Sequence, residues 1–503
     1  MEGAAADKAA NAVDGEAVLA RVSRHILPLF FSLALLNSID RANLSFAALQ
    51  LNTDLGFSRS VYGFGSGLFF IGYALLQIVA PLICARVGAP SFLGTILVLW
   101  GGVTLLFAFM RTAGQFYCLR LLLGVAESGA YPGMWYHLAL FFDDHELGLA
   151  YTCVATATSV AGVLGAPLAA GLLSLDGACG LRGWQWLFLV ESAPAVALGL
   201  VIRWRLARSP EAALFLRPAE RSWLASRKAA QPVAAEQAHS VDTHAAPPAA
   251  TTDSSIWAPL LTAFASRHIW HLAGIWTLNA MGLDGIVFWA PLLVRAILDG
   301  DADAADDGAT EVVADNSVTA GDTVRQLALG RMVQAALLAG VPFGAAGIAM
   351  VVNARHSKRS GERHWHGALP LLVGAVALAA LAALLGSSGN GTAGAAGAFA
   401  ALSAAAVGIW SVHGPLMGWP AAFLSGTTAA SGFALMKMVG ALGSFLGPAL
   451  IGGLADATGG FAVPCLVLAC CVAAGAVLML AFRAPGGPPA AALDMKLRVA
   501  ATA

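Results

Sequence analysis

Charge is scarce in this chain. Only 11% of its 503 residues are Asp, Glu, Lys or Arg, against about 25% in an average soluble domain. A soluble chain of this length would divide into domains, each with a charged exterior, and too few charges exist here to cover them. That excludes an ordinary soluble enzyme, a nucleic-acid binder and a disordered scaffold. A formal net charge of −1 offers no footprint for a polyanion, so no nucleic-acid partner is expected. The seven cysteines show no C-x-x-C or Cys/His metal spacing, and most lie in apolar runs, where a free thiol acts as a small hydrophobe. No nucleotide loop, no H-E-x-x-H and no G-x-S-x-G elbow on a suitable turn is found. The expectation is therefore no enzyme, no cofactor and no metal.

What the chain has instead is apolar length: 58% of its residues are hydrophobic and the mean hydropathy is +0.73. A membrane-spanning helix needs about 20 mostly apolar residues. Such runs occur near 25–48, 62–83, 91–110, 114–141, 150–174 and 184–205, and again near 268–297, 325–352, 368–387, 397–417, 428–453 and 461–483. They are too long for barrel strands and lack period-two alternation. Lys and Arg placement sets the orientation. With a cytoplasmic N-terminus, nineteen basic residues fall in inner segments, five in outer loops and four (Arg41, Arg120, Arg331 and Lys437) within spans. The bilayer is the chain's surrounding.

The expected fold is an all-α membrane protein. Its twelve transmembrane helices form two pseudo-symmetric six-helix bundles, with both termini cytoplasmic. The divisions are a tail, 1–24; a first bundle, 25–205; a cytoplasmic central loop, 206–267; a second bundle, 268–483; and a tail, 484–503. The first tail is polar and acidic (Asp7, Asp14 and Glu16) and resembles neither a secretory signal nor a transit peptide, so the first span is expected to direct insertion. In the central loop, Pro210 to Lys228 reads as a basic amphipathic helix, and the Ala/Pro/Thr-rich middle as disordered. An outer insertion at 299–322 carries eight acidic residues and no basic one; it reads as a solvated loop. Asn390-Gly391-Thr392 is a weak glycosylation motif in a short outer loop.

The halves share a pattern. "VLGAPLAAGLL" (163–173) aligns with "FLGPALIGGLA" (445–455), pairing Gly165 with Gly447 and Gly171 with Gly453. Small residues of this kind let helices approach closely in lipid. A duplicated six-helix unit joined by a cytoplasmic loop is the layout of parallel-repeat transporters.

Longer stretches carry a family resemblance. "SIDRANLSFAALQLNTDLGFSRSVYGFGSGLFFIGYALLQ" (38–77), "LRLLLGVAESGAYPG" (119–133), "GLRGWQWLFLVESAPAVALG" (180–199), "RHSKRSGERHWHGALP" (355–370) and "GPLMGWPAAFLSGTTAASGFALM" (414–436) are similar to the anion:cation symporter branch of the major facilitator superfamily. That branch includes tartrate, phthalate, hexuronate and galactonate permeases, sialin and the vesicular glutamate transporters. The resemblance runs from about residue 25 to 485 and implies a proton-coupled carrier of small organic anions working by alternating access, as a monomer.

Ionisable residues inside spans are costly by a few kcal/mol each, so they are expected to face a cavity or to pair. Arg41 shares a helical face with Asn37 and Ser45, while Asp40 turns aside. A fixed guanidinium is a natural partner for a carboxylate; the resemblance implies anion binding at Arg41 and proton coupling at Asp40. Arg120 and Glu127 lie two turns apart on one face, with Arg120 a candidate for substrate binding. A carboxyl in an apolar cavity can take up and release a proton near neutral pH, and the resemblance places the coupling carboxylate at Glu127. Tyr73 and Gln77, four apart, share a face; the resemblance makes them cavity-lining donors and acceptors, and an interhelical hydrogen bond is the alternative. Asn279, Trp410 and Ser411 are further substrate-binding candidates. Asp284, standing where many relatives carry Tyr, reads as a second titrating group or as a partner for a cation. Lys437 replaces a usual Asn and either adds positive charge to the cavity, favouring a dianion, or pairs with Asp284. Lys358 replaces the Asp of "S-D-R", which removes the usual carboxylate of the cytoplasmic gate.

The leading reading is proton-coupled symport of a small organic carboxylate, such as a sugar acid or a dicarboxylate, across the plasma membrane, or an organelle membrane in a eukaryote. Sodium-coupled or exchange transport of an organic anion or phosphate is one alternative. A membrane sensor that has lost transport is the other.

Overall fold

A computed structural model describes residues 13–77, 79–227, 257–299, 318–387, 392–424 and 426–483. Most of the acidic insertion, the middle of the central loop, Asn390-Gly391 and the tail 484–503 lie outside the described residues. The described secondary structure is helical. In chain order the helices are α1 (Gly15–Leu55), α2 (Arg59–Gln77), α3 (Ala80–Val87), α4 (Ala89–Phe107), α5 (Ala113–Glu127), α6 (Ala130–Phe141), α7 (Asp144–Leu173) and α8 (Gly183–Arg205). Then follow α9 (Trp257–Ala265), α10 (Arg267–Asp299), α11 (Val318–Ser360), α12 (His364–Gly386), α13 (Thr392–Ser411), α14 (His413–Met417), α15 (Gly426–Thr458) and α16 (Ala462–Ala481).

Ten helical stretches among the described residues are long and apolar enough to cross a membrane. The other two expected spans are each built of consecutive pieces, α2 with α3 and α5 with α6. The α5–α6 break falls at Ser128-Gly129, where the Ser128 hydroxyl donates back to the Val125 carbonyl at 2.8 Å. Side chains such as Leu99, Leu149, Ile348, Val376 and Val477 are more than half exposed. An apolar exterior of this extent suits lipid, not water. The chain is an integral, multi-pass membrane protein.

The packing repeats along the chain. In the first half α1 packs on α7, α2 on α5, and α4 on α8; in the second, α10 packs on α15, α11 on α13, and α12 on α16. The halves meet along α2–α15 and α7–α11. Backbone approach is close at the first of these: a Cβ at Gly63 would collide with the Pro448 carbonyl, and one at Gly67 with that of Phe445. Gly447 sits equally close to Met281 of α10, whereas Gly165, Gly171 and Gly453 face open space. The glycine pattern shared by α7 and α15 is thus not a shared contact.

Contacts joining the halves gather toward the end that carries Arg59 and Asp456. The Asp456 carboxylate accepts from the backbone N–H groups of Arg59 (3.1 Å) and Ser60 (2.7 Å), capping α2 from the opposite half. Tyr62 donates to the Phe288 carbonyl at 2.7 Å, and Arg295 to that of Leu49 at 3.3 Å.

The opposite end holds the segment after α8. Two expectations change here. The first helix starts at Gly15, inside the expected tail, because the Asp14 side chain caps it by accepting from the N–H groups of Glu16 and Ala17. Of Pro210–Lys228 only residues 218–227 are helical; Pro218 suits a first helical position, and Glu220 accepts from the Arg217 N–H at 2.8 Å. This helix is pinned to the first half rather than lying free. Arg21 pairs with Glu220 at 2.7 Å, and Arg227 pairs with Asp143 at 2.5 Å and Glu146 at 2.8 Å. The Arg217 N–H, and behind it Arg21, hold the Glu220 carboxyl below its usual range. Near Lys358, Glu362 supplies a carboxylate, accepting from the Trp365 N–H at 2.8 Å and contacting His366 at 2.8 Å.

Asp456→Ala removes a cap contributed across the two halves, worth about 1 kcal/mol. Spin labels on the α1–α2 and α15–α16 turns are expected to show a larger share of long distances in the variant. An unchanged distribution would contradict the latch.

Candidate functional site

The site forms where α1, α2 and α5 converge on the axis between the halves. Asn37 and Arg41 are one turn apart on α1 and reach the same atom. Asn37 Nδ2 donates to Glu127 Oε2 at 2.6 Å, and Arg41 Nε donates to that oxygen at 3.1 Å. Glu127 is fully buried, while the Arg41 side chain is 28% exposed. Arg41 therefore bridges a buried carboxylate and an accessible space. Its guanidinium lies over the rings of Tyr73 (4.8 Å) and Phe69 (5.2 Å), where cation–ring attraction holds it. Its Nη2 is buried and has no partner.

Asp40 turns away from that space, as helical geometry requires. It accepts from Thr104 of α4 at 3.2 Å and lies close enough to Glu127 for their charges to interact. Arg120 is placed differently from the expectation. It is 2% exposed, donates to the Ser66 carbonyl at 3.0 Å, and packs its guanidinium against Phe69 (4.8 Å) and Phe288 (5.4 Å). It does not line the accessible space in this conformation, and the cation on Glu127 is Arg41. Spacing along one helix could not show this, because the contact is between helices.

From the second half, Asn279 is fully buried with both amide atoms unpartnered. Gln77 on α2 likewise has an unpartnered Oε1. Lys437 places its ammonium 4.0 Å from the centre of the Trp276 ring. Among the described residues it forms no ion pair with Asp284, although their charges interact, and it also feels Arg41. Asp284 is 9% exposed and is served by Ser444. Trp410 packs on Phe343. The Ser411 hydroxyl donates to the Val407 carbonyl of its own helix at 2.6 Å, so its O–H is engaged while its lone pairs remain able to accept. Trp276 also holds His413, edge to face at 4.9 Å.

Sequence reasoning passed over Glu191 on α8 and His137 on α6. Both are buried, and neither has a partner for its side-chain polar atoms. The rule that selected Glu127, an ionisable residue inside an apolar run, applies equally to both. Among the described residues no three His, Cys, Asp or Glu are grouped as metal ligands.

Residues 30–448 match the Major Facilitator Superfamily. The chain belongs to that superfamily. It is similar to the Agrobacterium vitis protein named "Putative tartrate transporter", 34% identical over 446 residues, covering 88% of this chain and 90% of that one. It is also similar to the Escherichia coli "Inner membrane transport protein RhmT", 28% identical over 86% of this chain and 88% of that one. Among solved structures, the inward-open xylose transporter XylE of E. coli shares the fold, with a TM-score of 0.62 at 14% identity over 92% of this chain and 97% of that one. A bacterial homologue of the lysosomal transporter Spinster, inward-facing and unoccupied, gives 0.62 at 16% over 91% and 93%. This major facilitator chain resembles the tartrate and metabolite permeases of its superfamily. It is a secondary transporter of small organic molecules, not an enzyme.

Arg120→Ala is expected to act on stability, lowering it by about 2–4 kcal/mol through lost packing and lost cation–ring contact. The unfolding midpoint of the purified protein measures it; an unshifted midpoint would show that Arg120 is not a packing residue.

Proposed function

We propose that this protein carries a small organic carboxylate across the membrane together with protons, by alternating access. Its architecture is read as twelve spans in two six-helix bundles, residues 25–205 and 268–483, with α2–α3 and α5–α6 as broken spans and both termini cytoplasmic. On that orientation the conformation described is closed outside and open inside. The membrane is read as the plasma membrane, and the carrier as a monomer.

The observation that carries the reading is the shared contact of Asn37 and Arg41 on Glu127. Glu127 occupies the guanidinium that an incoming carboxylate would need. A proton on Glu127 removes its charge, weakens that contact and frees Arg41 for substrate. Loss of the proton restores the Arg41–Glu127 pair and displaces the substrate. Anion and proton thereby travel together, because a buried carboxylate and a bound carboxylate compete for one cation. Asp40, close to Glu127, is the second coupling carboxyl, and Asp284 is the titrating group of the other half.

The rest of the lining suits an anion held at two points. Lys437 and Arg41 face the same region from opposite halves. The unpartnered Asn279 Nδ2 can donate to a hydroxyl or carboxylate oxygen, and the unpartnered Gln77 Oε1 can accept from a substrate hydroxyl. Tyr73 and Trp410 give the walls, and Ser411 can donate to the anion only if its helical bond to Val407 is released. Two cations favour a dicarboxylate over a monoanion, in keeping with the tartrate named for the Agrobacterium relative.

In proteoliposomes in weak buffer, one member of a panel of organic anions is expected to make the external medium alkaline, and Arg41→Ala to abolish the signal. Glu127→Gln is expected to lose proton-driven accumulation while retaining anion exchange. No pH change with any anion, or accumulation by the Gln variant, would overturn proton symport.

A further inference from the structure

Glu191 lies midway along α8, a helix that packs against α4, α1 and α7. It is 8% exposed, and both carboxyl oxygens are buried with no hydrogen-bond partner. Its level in the fold is fixed by its neighbour: a Cβ at Gly101 of α4 would meet the Ser192 carbonyl at 2.9 Å. Glu191 is therefore beside the Trp100–Thr104 turn, the turn whose Thr104 hydroxyl donates to Asp40. The charges of Glu191 and Asp40 interact.

Among the described residues of the helices packed on it, no cation stands beside Glu191. Helix α4 contains no charged residue, and α7 carries its charges only at its start, Asp144 and Glu146, beside His145. On α8 itself the cations are Arg203 and Arg205 in the last turn, three turns away. Helix α1 presents Asp40, and its Arg41 is turned to Glu127. A carboxylate in apolar surroundings with no cation and no donor is among the most costly groups a membrane protein can hold. A neutral carboxylic acid is far cheaper.

We propose that Glu191 is a third proton-binding carboxyl, which stores a proton in the conformation closed at the Asp456 end and passes it to Asp40. In the transfer the Glu191 O–H bond breaks, an Asp40 O–H bond forms, and the negative charge moves to Glu191. The order Glu191, Asp40, Glu127, Arg41 then links the buried carboxyl beside α4 to the substrate guanidinium. The inference deepens the proton-symport reading and rests on it.

Two measurements on Glu191→Gln test it. Infrared absorption of the purified protein near neutral pH reports a protonated carboxyl directly and needs no transport. The wild type is expected to show a band that the Gln variant lacks and that Glu191→Asp retains, shifted. In proteoliposomes, the proton-to-anion ratio of Glu191→Gln is expected to fall by one. A Gln variant whose infrared band is unchanged overturns storage, and a lost band with an unchanged ratio overturns delivery. A Gln variant that fails to fold also counts against the proposal, since an isosteric neutral side chain replaces a neutral acid. If the wild type moves no protons with any anion, proton symport fails, while the infrared result still stands or falls separately.

Discussion

Within a lipid environment a charge needs a partner, and the arrangement of this molecule follows from how it supplies one to Glu127. The carboxylate is fully buried on a helix that breaks one residue later, and its partners come from a different helix, α1. Removing one member of a buried pair costs about 3–5 kcal/mol, because the other is left uncompensated. The contact therefore ties α1 to α5 through a pair that is costly to break one-sidedly. On the proposed reading the same contact is a switch: neutralising Glu127, or replacing it on Arg41, alters the balance between conformations. Tyr73 and Phe69 hold the guanidinium by their ring faces, so Arg41 keeps a free donor while fixed in place.

That switch has leverage because the two halves touch along narrow seams. At α2–α15 the backbones approach so closely that Gly63 and Gly67 leave no room for a side chain. The junction is completed by polar contacts, Asp456 with the start of α2 and Tyr62 with Phe288. Small residues let the backbones meet by dispersion contact, and ring pairs such as Phe64 with Phe445 add edge-to-face contact across the seam. Polar groups at the end of such a seam add a specific latch of modest strength that transport can afford to break.

The fold was legible because its signals are local. Apolar length, the Lys and Arg bias and the repeated pattern all survive without knowledge of contacts. The broken spans were hidden, since α2–α3 and α5–α6 keep an apolar sequence across their interruptions. In the site, the face of α1 followed from helical spacing alone: Asn37 and Arg41 do share it. The partner of Glu127 did not, because Arg120 is its neighbour in sequence while Arg41 is its neighbour in space. Lys437 shows the same limit: its carboxylate candidate Asp284 was readable, but the ring of Trp276 that receives its ammonium belongs to tertiary packing. Glu191 was visible and passed over, sitting in an apolar run beside Ser192 and Pro194 that reads as a packing helix.

Under the proposed symport, the buried charges account for the need for protons. Four carboxyls, Asp40, Glu127, Glu191 and Asp284, stand near mid-span against three cations, Arg41, Arg120 and Lys437. Fully ionised, the set is already one negative charge in excess, and Arg120 is committed to the Ser66 carbonyl and two aromatic rings. Bringing in a carboxylate deepens the excess in a region where each uncompensated charge costs several kcal/mol. Sequestering more cations would offset it, but would also hold the substrate too tightly for release. Carboxyls that gain and lose protons solve both demands, because they remove negative charge while the anion is bound and restore it when the anion must leave.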